Sequence, residues 1–207
     1  GLVSHRRLSN GDDKPYELNI SWWSAMEDSS RDAKRFQYER FILSQLLVMA
    51  LKGVPAFYLP ALLASENDIK SFSMTGQRRD LNREKFKSEN LLAVLNNPES
   101  NANKNLKYLR NAMDVRSELK QFHPCSQMKC LSKGRSDIVV IKRGKGPESV
   151  FAIHNMTENK INYQLNDNDL PKIIDNDFNT HDFLTSTKYN CKNISLDPFQ
   201  VIWLSAL

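Results

Sequence analysis

Two clusters of cations stand where this chain could do chemistry. One is Arg78, Arg79 and Arg83, three guanidinium groups within six residues of the polar stretch TGQRRDLNR. The other is His5-Arg6-Arg7, followed by the turn-forming run Ser9-Asn10-Gly11-Asp12-Asp13 and then by Trp22-Trp23. A guanidinium fork pairs with carboxylate or phosphate and can hold a sugar hydroxyl together with its carboxylate partner. Tryptophan offers an apolar face on which a sugar ring stacks. Cations with aromatics therefore suit an anionic or sugar ligand. The plain alternative is that His5 to Arg7 are solvated and Trp22 packs into a core. In the same spirit, Arg78, Arg79 and Arg83 would pair with Asp80 and Glu84 in a salt-bridged loop.

The other reactive side chains offer less. His154 and His181 have no second ligand at metal spacing and read as structural. Glu66, Asp68 and Lys70 read as solvated, as do Lys142, Arg143 and Lys145 at a strand end and turn. Cys125, Cys130 and Cys191 are odd in number and lack a CxxC pair, which argues against a disulfide framework or a zinc site. Unpaired thiols suit a reducing cytoplasm. Sequons at Asn19, Asn155 and Asn193 come with no signal peptide and read as chance.

Composition bounds the rest. With 40% hydrophobic and 26% charged residues, the chain has the make-up of a globular protein of one or two domains. Its net charge of +5 is spread among interspersed acids and bases, which argues against a nucleic-acid-binding patch. No run reaches membrane-span length; the most apolar one, Phe41 to Leu51, is interrupted by Ser44 and Gln45. The chain starts at Gly1 rather than a methionine and reads as the C-terminal part of a longer protein.

The elements that must position the cations follow from periodicity. Gly1 to Asp28 reads as a long loop. Ser29-Ser30-Arg31-Asp32 resembles a capping box, and Tyr38, Phe41, Ile42, Leu46 and Met49 give one buried face of a helix ending at Lys52-Gly53. Val54-Pro55-Ala56-Phe57-Tyr58-Leu59 is a continuous apolar run, as in a buried parallel strand, with Tyr58 reading as core and a reach to a ligand as the alternative. Helices are predicted over Asp80 to Asn96 and Lys104 to Gln121, split at Asn97-Pro98. After His123-Pro124 the pattern turns to strands: Asp137 to Arg143, Ser149 to Met156, Ile161 to Leu165, Phe199 to Leu204 and, more weakly, Phe178 to Thr185. The fold class is therefore α/β followed by all-β, with domains at 1–123 and 124–207.

Several segments in order carry a family resemblance. GVPAFYLPALLAS followed by RRDLNREKF, and upstream PYELNISWWSAM, resemble the sucrose-phosphorylase-like subfamily of glycoside hydrolase family 13, the α-amylase clan. The likeness is nearest to its glucosylglycerate phosphorylase branch. It is strong over Pro15 to Phe86 and looser beyond, where DPFQVIWL resembles the clan's last C-terminal strand. It implies the C-terminal part of a (β/α)8 TIM barrel and then a small antiparallel β-sheet domain. Loops at the C-terminal ends of the barrel strands would carry the chemistry.

The resemblance also implies an activity, the transfer of glucose from an α-glucoside to phosphate. Arg79 matches the arginine that helps hold the donor glucose. His5, Arg6 and Arg7 match a loop that shapes the acceptor site. The nucleophile, the acid–base and a third aspartate would lie upstream of Gly1, with no catalytic carboxylate in this chain. No cofactor or metal is implied, and a homodimer is compatible. Hydrolysis by a related clan enzyme and a non-catalytic fragment or binding module remain alternatives.

Overall fold

A computed structural model describes residues 1–28, 32, 34–132, 134–166 and 179–205. The expected capping box, Ser29 to Asp32, falls largely outside the described residues, as does Phe178. The described residues form two compact units: residues 1–37 with 57–108, and residues 38–56 with 109–207. The compact units thus divide the chain differently from the composition change at His123-Pro124.

The first unit opens with a hairpin instead of a loop. Strands β1 (Leu2–Arg7) and β2 (Asp13–Asn19) pair antiparallel, with a register shift between Ser4 and His5. The expected turn chemistry closes it. Gly11 sits at φ 90°, and Asn10 donates to Asp12 at 2.7 Å. Helices α2 (Leu59–Leu62), α3 (Ile69–Thr75) and α4 (Ser88–Asn96) follow, with a five-residue 3-10 turn at Arg78–Asn82.

The run at Val54 to Leu59 is not a strand. It has no regular secondary structure before α2, with Val54 80% and Tyr58 55% exposed. A parallel strand needs neighbours to satisfy its backbone, and none of the described strands lies beside it. Asp68 is likewise not merely solvated, because it accepts from Ser71 N at 2.9 Å and Ser71 Oγ at 2.5 Å, capping α3. The hydrogen bonds from Ser71 hold its carboxyl below the usual range. The predicted helix from Asp80 is broken because the Leu81 carbonyl accepts from Asp68 N at 2.7 Å rather than entering a helical ladder. Helix α5 (Asn101–Glu118) starts earlier than predicted, since Ser100 Oγ accepts from Asn103 N at 3.0 Å.

The second unit is built around an antiparallel sheet. Its strands are β3 (Met128–Cys130), β4 (Ile138–Arg143), β5 (Val150–Asn155) and β10 (Val201–Ser205), in the order β10-β5-β4-β3. Short pairs, β6 (Ile161–Tyr163) with β9 (Ile194–Leu196) and β7 (Asn179–His181) with β8 (Lys188–Asn190), complete it. One sheet face carries Ile138, Val140, Phe151, Ile153, Ile202 and Leu204, packed with Ile194 and Leu196. Alternation turns Arg143, His154 and Trp203 to the other face. Helix α1 (Gln37–Ala50), which contributes buried Phe41, Leu46 and Met49, meets that face at its C-terminal carbonyls. Every residue of β5 is buried, as a strand covered on both faces requires.

Arg143 departs most from expectation. It is fully buried and donates to the carbonyls of Ala50 at 2.9 Å, Leu51 at 2.7 Å and His123 at 3.0 Å. Arg116 donates beside it to Met49 at 2.9 Å and Gly53 at 3.0 Å. Both guanidinium groups lie over Phe122, at 5.8 Å for Arg116 and 5.4 Å for Arg143. The last carbonyls of α1, which have no partner within the helix, are thereby satisfied, and two positive charges meet the negative end of its dipole. Burial lowers the pKa of both, and Arg116 lowers that of Arg143 further.

Asp182 is also buried. Its carboxylate accepts from Trp203 N at 2.7 Å and from Thr185 Oγ1 at 2.7 Å, while Phe183 N and Thr180 Oγ1 donate to Trp203 O and Ser205 O. Burial raises its pKa.

Two outcomes follow. Arg143→Ala strands buried carbonyls and should remove about 3 kcal/mol of unfolding free energy in a urea titration, with Arg143→Lys failing to restore it. His154 is fully buried, and desolvation holds its pKa at about 4, below the ordinary 6.5. A depressed folded-state pKa contributes stability above the unfolded value that is lost as pH falls through the folded one. Unfolding free energy should therefore drop by about 3 kcal/mol between pH 7 and pH 4, and His154→Gln should flatten that dependence.

Candidate functional site

The arginine turn is docked on the hairpin, not self-paired. Arg78 donates to the Val3 carbonyl of β1 at 2.7 Å. Arg79 donates through Nε and Nη2 to one carboxylate oxygen of Glu17 on β2, both at 3.3 Å. The hydrogen bond to Glu17, then the Glu17 charge, raises the Arg79 pKa, with Tyr16 adding a smaller push. The Arg79 side chain stays 53% exposed, so the guanidinium is oriented yet open to a ligand. Asp80 accepts from Thr75 at 2.7 Å and forms no pair with Arg79 among the described residues. Sequence reasoning missed Glu17, which stands 62 positions from its partner.

His5, Arg6 and Arg7 occupy the end of β1 nearest the turn and are exposed, opposite Pro15, Lys14 and Asp13. Strand alternation puts His5 and Arg7 on one face and Arg6 on the other. No hydrogen bond or ion pair joins them to Arg79 among the described residues. The hairpin thus unites Arg79 with Glu17 and holds the cationic triplet further along the same ribbon.

A second feature of this unit is a cleft of about 330 Å³ lined by Ile20, Ser21, Trp22, Met26, Tyr58 and Asn82, among others. Tyr58, expected in the core, is 55% exposed here, and Trp22 is 44% exposed. Trp23, its neighbour, is the buried member of the pair. Among the described residues, no group of three or more His, Cys, Asp or Glu side chains is placed to hold a metal ion. No described helix is long and apolar enough to cross a membrane.

Comparison with known proteins gives this geometry a context. No protein-family model matches the chain. A glucosylglycerate phosphorylase from Allomeiothermus silvanus is 31% identical over 159 residues, covering 76% of this chain and 28% of that protein. A glucosylglycerate phosphorylase from Escherichia coli K12 is 23% identical over 98% of this chain and 34% of its own length. A sucrose phosphorylase from Streptococcus mutans is 23% identical over 74% of the chain. The chain is a homologue of the glucosyl phosphorylases of glycoside hydrolase family 13. It spans 28% to 34% of the length of these relatives.

Solved structures agree on the fold. AmyP E221Q in complex with maltotriose aligns with TM-score 0.65 at 13% identity, over 89% of this chain and 37% of that one. Trehalose-6-phosphate hydrolase of Bacillus licheniformis aligns with TM-score 0.57 at 16% identity, over 84% and 40%. Part of an α-amylase-type barrel followed by a small antiparallel β domain is therefore the architecture of this chain.

The Arg79–Glu17 pair is a surface contact and contributes little to folding. Glu17→Gln should leave the thermal midpoint of unfolding unchanged within error while weakening the hold on the Arg79 guanidinium. A large fall in the midpoint would mark the pair as structural.

Proposed function

We propose that the protein is a retaining glycoside phosphorylase that moves a glucosyl group from an α-glucoside of the glucosylglycerate or sucrose type to inorganic phosphate. The observation that carries this reading is the 31% identity to a glucosylglycerate phosphorylase over three quarters of the chain. In such a reaction a carboxylate attacks C1 of the glucoside, the C1–O bond breaks, and a carboxylic acid protonates the departing acceptor oxygen. Phosphate then attacks C1, gives its proton to the carboxylate base and displaces the ester, leaving glucose 1-phosphate. No carboxylate of this chain is assigned as the nucleophile, the acid–base or the third aspartate.

Arg79 is the residue of this chain assigned to the donor glucose. Its guanidinium is oriented by Glu17 and half exposed, which supports a hydrogen bond to a sugar hydroxyl. His5 and Arg7, on one face of β1, are assigned to the negative charge of the acceptor or the phosphate, with Arg6 on the opposite face. A cationic ribbon suits glycerate's carboxylate better than fructose. The three free cysteines support a reducing cytoplasm, and a homodimer suits the reading. Nucleic acid and membranes have no part in it.

The test is an assay of the complete enzyme with phosphate and either glucosylglycerate or sucrose. Glucose 1-phosphate is the expected product, and Arg79→Ala should lower kcat/KM by about a hundredfold. Free glucose formed without incorporation of phosphate would make the protein a hydrolase. Near-normal kinetics in Arg79→Ala would remove the donor role.

A further inference from the structure

The cleft at Trp22 is built like a carbohydrate site, although none of its lining residues is a cation. Its volume of about 330 Å³ falls at the small end of ligand pockets. Two exposed aromatic side chains, Trp22 and Tyr58, line it from different segments, together with the apolar carbons of Ile20, Met26 and Pro60. Asn82 lines it as well, and its side-chain oxygen is shut off from solvent with no hydrogen-bond partner. A buried polar atom left unsatisfied disfavours the empty state and is relieved by a ligand hydroxyl.

The wall bearing Trp22 is fixed in advance. Ser21 N donates to Asn67 Oδ1 at 2.7 Å, Asn67 N to Ser24 Oγ at 3.1 Å, and Ser24 N to Ser21 Oγ at 3.1 Å. This closed ring of three hydrogen bonds pins the 3-10 turn Ser24–Met26 and the residues before it. Gln37 Nε2, bonded to the Trp23 carbonyl at 3.0 Å, holds the adjoining backbone. A rigid aromatic wall limits the ordering cost of binding.

Neither cation nor anion lines this cleft, so a charged ligand has no partner there. A neutral ring with one apolar face and a rim of hydroxyls does. We infer that the Trp22–Tyr58–Asn82 cleft binds a single pyranose ring of a neutral glycoside. The ring's C–H face lies against the aromatics, and a hydroxyl donates to Asn82 Oδ1. The inference rests on the chain's kinship with sugar-active enzymes for the class of ligand, and on the cleft alone for the site.

Tryptophan fluorescence tests it directly. Trp23 and Trp203 are buried, leaving Trp22 as the exposed indole of the three. Titration of the chain with methyl α-glucopyranoside should give a saturable blue shift and protect Trp22 from acrylamide quenching. Inorganic phosphate and glycerate, as charged probes, should give neither. Tyr58→Ala should weaken the sugar's affinity by about tenfold, Tyr58→Phe should stay near the parent, and Asn82→Ala should fall between them. Absence of a saturable change with the sugar would overturn the inference. So would equal affinity in Tyr58→Ala and the parent alongside a lowered unfolding midpoint, which would make the cleft a packing surface. A positive titration beside a failed phosphorolysis assay would leave this site standing without the proposed activity, and the reverse result would separate them the other way.

Discussion

The C-terminal end of α1 is the constraint on which the β unit depends. Four backbone carbonyls, of Met49, Ala50, Leu51 and Gly53, accept from Arg116 and Arg143 inside an apolar setting. Burying a guanidinium is costly unless its donors are used. Here three carbonyls take donors of its two terminal nitrogens while Nε is left without a partner among the described residues, and the aromatic face of Phe122 lies beneath it. Because Arg143 is the last residue of β4, this cap also fixes the sheet to the helix. Trp203 extends the contact from β10, its ring centroid 4.7 Å from that of Phe122. Helix, sheet and the turn at His123 are thus joined through one cluster of donors and rings.

The hairpin unit follows a different logic. Its contacts at the arginine turn are exposed and link residues far apart in the chain, and they orient side chains more than they stabilise a fold. Arg78 ties the turn to β1 through a backbone carbonyl, which leaves Arg79 to meet Glu17 on β2. Two adjacent arginines divide the work of anchoring and presentation. A surface ion pair of this kind is weak enough to be exchanged for a ligand.

Much of this was legible in the sequence. Ser9 to Asp13 announced a turn, and β4, β5 and β10 declared themselves by runs of β-branched residues. The family segments around Arg79 pointed to the fold that the solved relatives share. What escaped has physical reasons. Strands β3, β8 and β9 are three residues long, too short for a period to show. Val54 to Leu59 reads as a strand only where neighbours pair with it. Arg143 looked solvated because its partners are carbonyls, which no residue type marks. Tyr58 looked like core because an apolar run hides which of its members face a cleft. Asp68 before Ser71, with Gly76 at φ 67°, was a readable capped helix that the loop-like composition masked.

The contacts of Asp182 bear on how the sheet ends. The outer side of β10 is occupied by residues 180–183, through an isolated bridge between Asp182 and Leu204 and the bonds to Trp203 and Ser205. The opposite border, β3, offers only three residues with Lys129 in their middle. Open strand borders recruit other chains, and proteins guard them with brevity, charge or a covering segment. Both borders of this sheet are guarded, so any second copy must associate through side-chain surfaces and not by continuing the β-sheet across the pair.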